Sequence, residues 1–225
     1  VKFIGGFGWG SEQFQRPTDI CAANGLDVFV SDYENNRIER YDRDLNWITS
    51  YRNDENLPDN LQYAFPNSVA ISIHGDLFIV TEENKRILKI NTMREPEFSF
   101  GDFDWGQGSL SERAQVFTSK KDKIYVTDQK AGSIFVYDYY GTFLFAFGNN
   151  VLGSPGGICL DQNELIYVTD LDKHKIVIFD ASGHAVVEYG SFGDKFGAFN
   201  SPSDVAVFQN KIYVTDMDNH RVQVF

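Results

Sequence analysis

The sequence predicts an all-β fold made of five copies of one four-stranded unit, and three observations lead to this prediction. Aromatic residues make up 15% of the 225 residues, and such a composition suits pleated, half-buried strands. A strand ending in Val-Ser/Thr-Asp/Glu recurs five times along the chain. Each recurrence is followed by a polar turn and by a second strand of alternating apolar residues, which is the pattern of a β-hairpin.

The number of residues between successive motifs is typical of one blade of a β-propeller. The motif valines lie 50, 46, 42 and 46 residues apart, which is the length range of one blade. We expect each acidic residue of the motif to accept hydrogen bonds from the following turn and to pair with a basic residue farther on. A ring of carboxylates around a cation is the alternative. These acidic residues are Asp32, Glu82, Asp128, Asp170 and Asp216.

Two further strands complete each copy. A run that follows the hairpin, such as residues 143–148, provides an outer strand. Before the motif, a proline starts an apolar run in four copies, and a strand's first residue tolerates proline because its missing N–H is not needed there. The four prolines are Pro17, Pro66, Pro155 and Pro202, and Arg113 holds this place in the third copy.

The two ends of the chain look like complementary parts of one copy. The last copy stops at Phe225 after its third strand, and residues 3–8 match residues 143–148 nearly position for position. We therefore expect the N-terminal strand to close a five-bladed propeller within a single domain spanning residues 1–225, since closure removes exposed sheet edges. A six-bladed parent with one blade missing is the alternative.

The repeats resemble a known family. The last copy reads Val-Thr-Asp-Met-Asp-Asn-His-Arg-Val-Gln-Val-Phe at residues 214–225, and this run, with a proline before the preceding strand, is similar to the NHL repeat. Residues 32–38 and 170–176 follow the same pattern, whereas Ser133 replaces the basic residue in the third copy. The resemblance implies a β-propeller with Asp–Arg pairing in the other four copies. It does not imply one function, because a fold hosts many functions.

Charge and composition narrow the range of partners and cellular locations that the sequence favours. The formal net charge is −12, which disfavours a nucleic-acid partner because phosphate is repelled. No apolar stretch is long enough to span a bilayer. The two cysteines, Cys21 and Cys159, are expected to be buried core residues and not a disulfide. The start at Val1 fits a processed, exported protein, and the resemblance to stand-alone NHL proteins favours the same extracytoplasmic location; a cytoplasmic one is the alternative.

The candidate binding residues lie in the turns and loops at one end of the strands. Exposed aromatic residues mark binding surfaces, and basic and histidine residues of the turns lie beside them. For the histidines, a purely structural role in the turn is the alternative. The acidic loop 52–60 would suit a basic partner. The predicted partner-binding residues are Trp9, Tyr33, Arg37, Arg86, Trp105, His174, Phe192, His220 and Arg221.

These observations predict a non-enzymatic scaffold that binds a protein or peptide as part of a larger assembly. No nucleophile elbow, phosphate loop or paired-cysteine motif is present in the sequence, so no catalytic residue, metal ligand or cofactor is predicted. A metal-dependent lyase or hydrolase of the propeller kind is the alternative, and RNA binding is a third that conflicts with the charge. The partner's identity and the oligomeric state stay open.

Overall fold

The computed structural model describes residues 3–23, 25–102, 106–111 and 113–225. Within these ranges the regular structure is nineteen β-strands and a few short 3-10 turns, and the strands form five antiparallel sheets. The sheets follow one another along the chain, and neighbouring strands in each sheet are consecutive in sequence. The predicted all-β class is therefore confirmed.

The first two sheets have four strands each. The first sheet contains β1 (Pro17–Cys21), β2 (Asp27–Asp32), β3 (Arg37–Asp42) and β4 (Trp47–Arg52), in that order. The second contains β5 (Pro66–Ile71), β6 (Leu77–Thr81), β7 (Arg86–Ile90) and β8 (Pro96–Phe100). In both, the third and fourth strands shift register near their turn.

The remaining sheets repeat this order. The third sheet contains β9 (Val116–Thr118), β10 (Lys123–Asp128), β11 (Ser133–Asp138) and β12 (Phe143–Phe147). The fourth contains β13 (Pro155–Leu160), β14 (Ile166–Asp170), β15 (Lys175–Phe179) and β16 (Ala185–Tyr189). The fifth contains β17 (Pro202–Phe208), β18 (Lys211–Asp216) and β19 (Arg221–Val224).

The repeat prolines and the motif valines lie where the sequence pattern predicts. All four prolines are the first residues of the first strand of their sheets, and the register shifts directly after each of them. The motif valines lie in the second strand of each sheet and are buried, which accounts for their recurrence. Burying an aliphatic side chain of this kind stabilises the fold by roughly 1.5–3 kcal/mol.

The fifth sheet differs from the prediction of a fourth strand supplied by the N-terminus. It contains three strands among the described residues, and residues 3–6 lie in no strand. Gly5 and Gly6 have φ angles of 136° and 131°, which only glycine adopts readily, and Phe7 then bridges to Phe14. The first residues of the expected strand, Val1 and Lys2, lie outside the described residues.

The contacts divide the chain into two compact units. The first unit contains Val1–Leu110, Val116–Ile124 and Asp138–Thr142, and the second contains Ser111–Gln115, Tyr125–Tyr137 and Phe143–Phe225. The core of the first unit includes Phe29, Ile38, Val69 and Ile79. Buried residues of the second include Val126, Ile134, Val177 and Phe199. The single domain over residues 1–225 stays a prediction.

Both cysteines are free thiols on the first strands of their sheets. Cys159 is buried and Cys21 is partly exposed. Burial raises the pKa of Cys21 and raises that of Cys159 to about 12, so neither thiol carries the charge that a reactive cysteine needs. In the part of the chain that the structure describes, no helix has the length and apolarity to cross a membrane.

Candidate functional site: two arginine-anchored aromatic loops

Two loops with the same pattern, one in each unit, present aromatic side chains to solvent. The first aromatic loop, residues 6–14, leads into β1, and the second aromatic loop, residues 191–199, leads into β17. A parallel bridge closes each loop, between Phe7 and Phe14 in the first and between Phe192 and Phe199 in the second. The two loops are therefore copies of one local structure.

Arg37 anchors the first aromatic loop. Its Nε donates a hydrogen bond to Asp32 Oδ2 at 2.8 Å. Its Nη1 donates to the carbonyl of Trp9 at 2.9 Å, and its Nη2 donates to the carbonyls of Gly10 at 2.7 Å and Gln13 at 2.8 Å. The side chain is 1% exposed. The planar guanidinium thus fixes three backbone carbonyls of one loop.

A second buried carboxylate accompanies this anchor. Glu39 Oε1 lies 2.8 Å from Arg37 Nε, and both Glu39 and Asp32 are fully buried. Glu39 Oε2 accepts hydrogen bonds from Trp47 Nε1 at 2.7 Å and Ser50 Oγ at 2.8 Å. One cation therefore compensates two buried carboxylates, an arrangement that is costly to break from either side.

Arg221 anchors the second aromatic loop in the same way. Its Nε donates to Asp216 Oδ2 at 2.7 Å. Its Nη1 donates to the carbonyl of Asp194 at 2.6 Å, and its Nη2 donates to the carbonyls of Lys195 at 2.9 Å and Ala198 at 3.0 Å. This side chain is 31% exposed, so the second anchor reaches solvent.

A turn asparagine supports each anchor. Asn35 Nδ2 donates to the carbonyl of Gly8 at 2.9 Å in the first loop. Asn219 Nδ2 donates to the carbonyl of Gly193 at 2.9 Å in the second. Together, the arginine and asparagine side chains fix the backbone of each loop through its carbonyls. This pre-organises the side chains that the loops carry.

The pKa of Asp216 shows how complete the second network is. Burial by itself raises the pKa of this carboxyl, but four hydrogen bonds outweigh that effect and lower it. The donors are the backbone N–H of Asn200 and the side chains of Asn219, Arg221 and Gln223. Asp216 is therefore a structural acceptor that stays ionised at neutral pH.

Four aromatic side chains on these loops are mostly exposed. Phe7 is 76% exposed and Trp9 71%, and their ring centroids lie 6.3 Å apart with an edge-on geometry. Phe192 is 69% exposed and Phe196 73%. Large apolar side chains held outward on a fixed backbone are typical of binding surfaces.

The structure corrects two of the predicted partner-binding residues. Arg37 and Tyr33 are buried, so they support the loop and do not offer a surface to a partner. Arg86 has a similar role, because its Nε lies 3.1 Å from Asp102 Oδ1 and its Nη1 donates to the carbonyl of Asp59. Of the other predicted residues, Trp105 lies outside the described residues.

The two predicted histidines occupy a position set by backbone geometry. The residue before the third strand has a positive φ in every sheet, with values from 48° to 58°, where glycine and asparagine are favoured. His174 also accepts a hydrogen bond from the N–H of Ser201 at 3.1 Å, as Asn36 Oδ1 does from the N–H of Phe65 at 2.7 Å. The five residues are Asn36, Lys85, Gly132, His174 and His220.

Two acidic residues of the motif are hydrogen-bonded although no arginine pairs with them. Asp128 accepts hydrogen bonds from the N–H and Oγ of Ser111 and from the N–H of Ala131. Asp170 accepts from the N–H of Gly153 at 2.8 Å, while Lys175 pairs with Glu188 instead. Among the described residues, the Asp–Arg ion pair that the NHL resemblance implies occurs in the first and fifth sheets.

Sequence reasoning missed two exposed aromatic residues. Phe7 falls in the predicted N-terminal strand, and Phe196 is absent from the predicted binding residues although it is 73% exposed and its ring lies 5.0 Å from that of Phe225. The glycines around Phe7, Gly6 and Gly8, were the available signal, because glycine-flanked aromatic residues favour a loop. Across the described ranges, no three His, Cys, Asp or Glu side chains are grouped as a metal ion would require.

Three segments of the chain match the sequence model of the NHL repeat, at residues 14–41, 152–179 and 199–225. The chain is 27% identical over 131 residues to "Protein brain tumor" of Drosophila melanogaster, which covers 57% of this chain and 13% of that protein. It is 26% identical over 181 residues to "NHL repeat-containing protein 2" of Bos taurus, covering 64% of this chain. The chain spans at most about a quarter of these curated relatives.

Solved structures show the same fold. An auxiliary nutrient binding protein from Bacteroides ovatus has a TM-score of 0.71 at 17% identity, over 94% of this chain and 59% of that one. A chain of a nidogen/laminin complex has a TM-score of 0.71 at 16% identity, over 92% of this chain and 74% of that one. Virginiamycin B lyase from Staphylococcus aureus has a TM-score of 0.64 at 16% identity, over 88% and 66%. At these identities the likeness establishes a β-propeller fold alone.

Proposed function

We propose that this chain, three segments of which match the NHL repeat, is a β-propeller scaffold that binds a protein or peptide partner through its aromatic loops. One observation carries the proposal: buried polar networks fix the backbones of the two loops, while the aromatic side chains of the same loops are exposed. Arg37 alone fixes three loop carbonyls below the exposed Trp9. Rigid, exposed aromatic residues of this kind are the usual anchors of protein interfaces.

The proposal rests on the loops, since the similar proteins establish the fold and not its occupant. In the first unit Phe7 and Trp9 pack against each other edge-on. In the second, the ring of Phe192 packs beside His174 and that of Phe196 beside Phe225. Tryptophan and aromatic anchors account for most of the binding energy in many interfaces. Each loop therefore forms a separate contact with the partner.

Affinity purification from an extract of the source organism tests the proposal. Wild-type protein is compared with Trp9→Ala and with Phe192→Ala, and the retained chains are quantified. We expect loss of a specific partner by about tenfold or more for at least one variant, because truncating a hot-spot anchor costs about 2 kcal/mol or more and about 1.4 kcal/mol is a factor of ten.

Tyr140→Ala is the matched control. Tyr140 is 76% exposed, close to the value for Trp9, but it belongs to the turn between β11 and β12 and to neither aromatic loop. The control is expected to retain the partner fully. Equal retention by Trp9→Ala, Phe192→Ala and wild type, or equal loss with Tyr140→Ala, would contradict the proposal.

We also propose that the protein acts outside the cytoplasm, as the resemblance to exported NHL proteins suggests. Fractionation of the source cells with an antibody to the chain tests this location. Recovery in the cytoplasmic fraction alone would contradict it. Light scattering of the purified protein gives its oligomeric state.

A further inference from the structure

The first aromatic loop belongs to a continuous loop surface within the first unit. The backbone N–H of Glu34 donates to the carbonyl of Gln15 at 3.1 Å, which joins the first turn to the loop before β1. The N–H of Phe65 donates to Asn36 Oδ1, and the N–H of Glu82 donates to the carbonyl of Phe65 at 3.1 Å. We call the joined segments the acidic loop surface: residues 6–16, 33–36, 52–65 and 82–85.

This surface carries a marked excess of negative charge. It has seven acidic residues against three basic ones. Of the basic residues, Arg16 is already engaged, since its guanidinium lies 4.7 Å over the ring of Tyr33 and 3.9 Å from Glu34. The acidic residues are Glu12, Glu34, Asp54, Glu55, Asp59, Glu82 and Glu83.

Four of these carboxylates are available to a partner. The side chains are exposed, and they form no ion pair in the part of the chain that the structure describes. Exposed carboxylates on a scaffold that fixes the backbone attract cations and steer them to the surface. They are Glu12, Glu55, Asp59 and Glu83.

The aromatic pair adds a second, independent preference for a cationic partner. The ring faces of tryptophan and phenylalanine attract the ammonium of lysine and the guanidinium of arginine. The aliphatic stems of the same side chains cover apolar rings while their charged ends reach nearby carboxylates. Phe7 and Trp9 are exposed enough to serve in both ways.

We infer that the acidic loop surface binds a basic polypeptide segment, rich in lysine or arginine, laid across Trp9 and Phe7. The inference rests on the proposed function and specifies the partner of the first aromatic loop. The carboxylates supply attraction and orientation, and the aromatic pair supplies the apolar contact. The charge of the surface makes the binding dependent on salt.

Fluorescence anisotropy with short labelled peptides tests the inference on the full chain. One probe alternates lysine and serine, and its counterpart alternates glutamate and serine. We expect the lysine probe to bind and to weaken as salt rises, and the glutamate probe not to bind. Trp9→Ala is expected to weaken the lysine probe by about tenfold.

Charge variants separate local from general electrostatics. Glu12→Gln/Glu83→Gln removes two charges from the acidic loop surface and is expected to weaken the lysine probe by about threefold at low salt. The matched control Asp44→Asn/Glu95→Gln removes two exposed charges from the turns between β3 and β4 and between β7 and β8, and is expected to have no effect. Unfolding midpoints check that all variants fold.

The outcomes distinguish this inference from the proposed function. Equal weakening by the two charge variants, or equal binding of both probes, would overturn the basic-partner inference. If Trp9→Ala loses the native partner while salt and Glu12→Gln/Glu83→Gln leave its retention unchanged, the scaffold function stands and the basic partner is excluded. If neither partner retention nor probe binding depends on Trp9, both fail for this loop.

Discussion

The two aromatic loops use the same anchor in different surroundings. Arg37 is 1% exposed and lies between two buried carboxylates, Asp32 and Glu39. Arg221 is 31% exposed, and Gln223 takes the place of Glu39. A neutral amide at this position donates to the carboxylate that it neighbours, whereas a second carboxylate depends on the arginine.

This difference separates the geometry of the anchor from its contribution to stability. Both guanidinium groups hold three loop carbonyls, so both loops have the same shape. Only in the first sheet does the loss of the cation leave two buried negative charges together, which proteins tolerate poorly. Removing each arginine in turn measures this difference.

Removing Arg37 should have the largest effect. We expect Arg37→Ala to lower the free energy of unfolding by about 3–5 kcal/mol, because Asp32 and Glu39 stay buried without a counter-charge. Urea unfolding measures the change. Arg40→Ala is the control, since Arg40 pairs with Asp27 near the surface and should cost about 1 kcal/mol or less. Equal losses for the two variants would contradict the role of burial.

Removing Arg221 should cost less, about 1–3 kcal/mol, which is typical of hydrogen bonds to a charged group. Asp216 keeps its hydrogen bonds from Asn200, Asn219 and Gln223 in that variant. Arg221→Lys should recover only part of the loss, because an ammonium lacks the planar fork. Urea unfolding measures stability, and hydrogen exchange of residues 194–198 reports the loop. A loss as large as that of Arg37→Ala would show that the second buried carboxylate does not decide the cost.

The pH dependence of the second anchor follows from Asp216. Its folded pKa lies below the ordinary value, so its contribution to stability is complete above about pH 4 and is lost as pH falls through the lowered pKa. Gln223→Leu removes one donor and should move the pKa of Asp216 upward. Carboxyl chemical shifts followed by NMR measure it. The pKa of Asp54, which Asn56 lowers, should not change; a parallel shift there would indicate a general effect.

The smallest effect is expected at His174. His174→Ala should cost about 1 kcal/mol through loss of the bond from the N–H of Ser201 and of a residue suited to positive φ. His174→Asn should be nearly neutral, because Asn36 makes the equivalent bond in the first sheet. Thermal unfolding compares the two variants. A neutral His174→Ala, or an asparagine variant as unstable as it, would rule out the structural role.

The fold was largely predictable because its signals are local and repeated. Each of the four repeat prolines coincides with a strand's first residue, and each acidic residue of the motif lies two residues after a buried valine, so a single rule located most of the strands. The segment before Phe7 was harder to assign, because Phe3 and Ile4 match an outer strand in residue type. The positive φ angles of Gly5 and Gly6 decide the path of the chain there, and residue type alone does not give them.

The candidate site was only partly predictable. The sequence identified Trp9 and Phe192 as exposed aromatic residues and both are exposed. It also selected Arg37 as a partner contact, because basic turn residues are exposed more often than not. The burial of Arg37 depends on three carbonyls from a loop more than twenty residues away, and residue type at the turn does not give such a long-range contact.

The turn position with positive φ has a practical consequence for protein engineering. Asparagine, lysine, glycine and histidine all occur there with nearly the same backbone angle, so the turn dictates conformation and leaves the choice of side chain comparatively open. Lys85 and His220 are therefore suitable attachment points for spectroscopic labels or grafted recognition residues. Labels at these two positions would report separately on the second and fifth sheets while leaving the cores untouched.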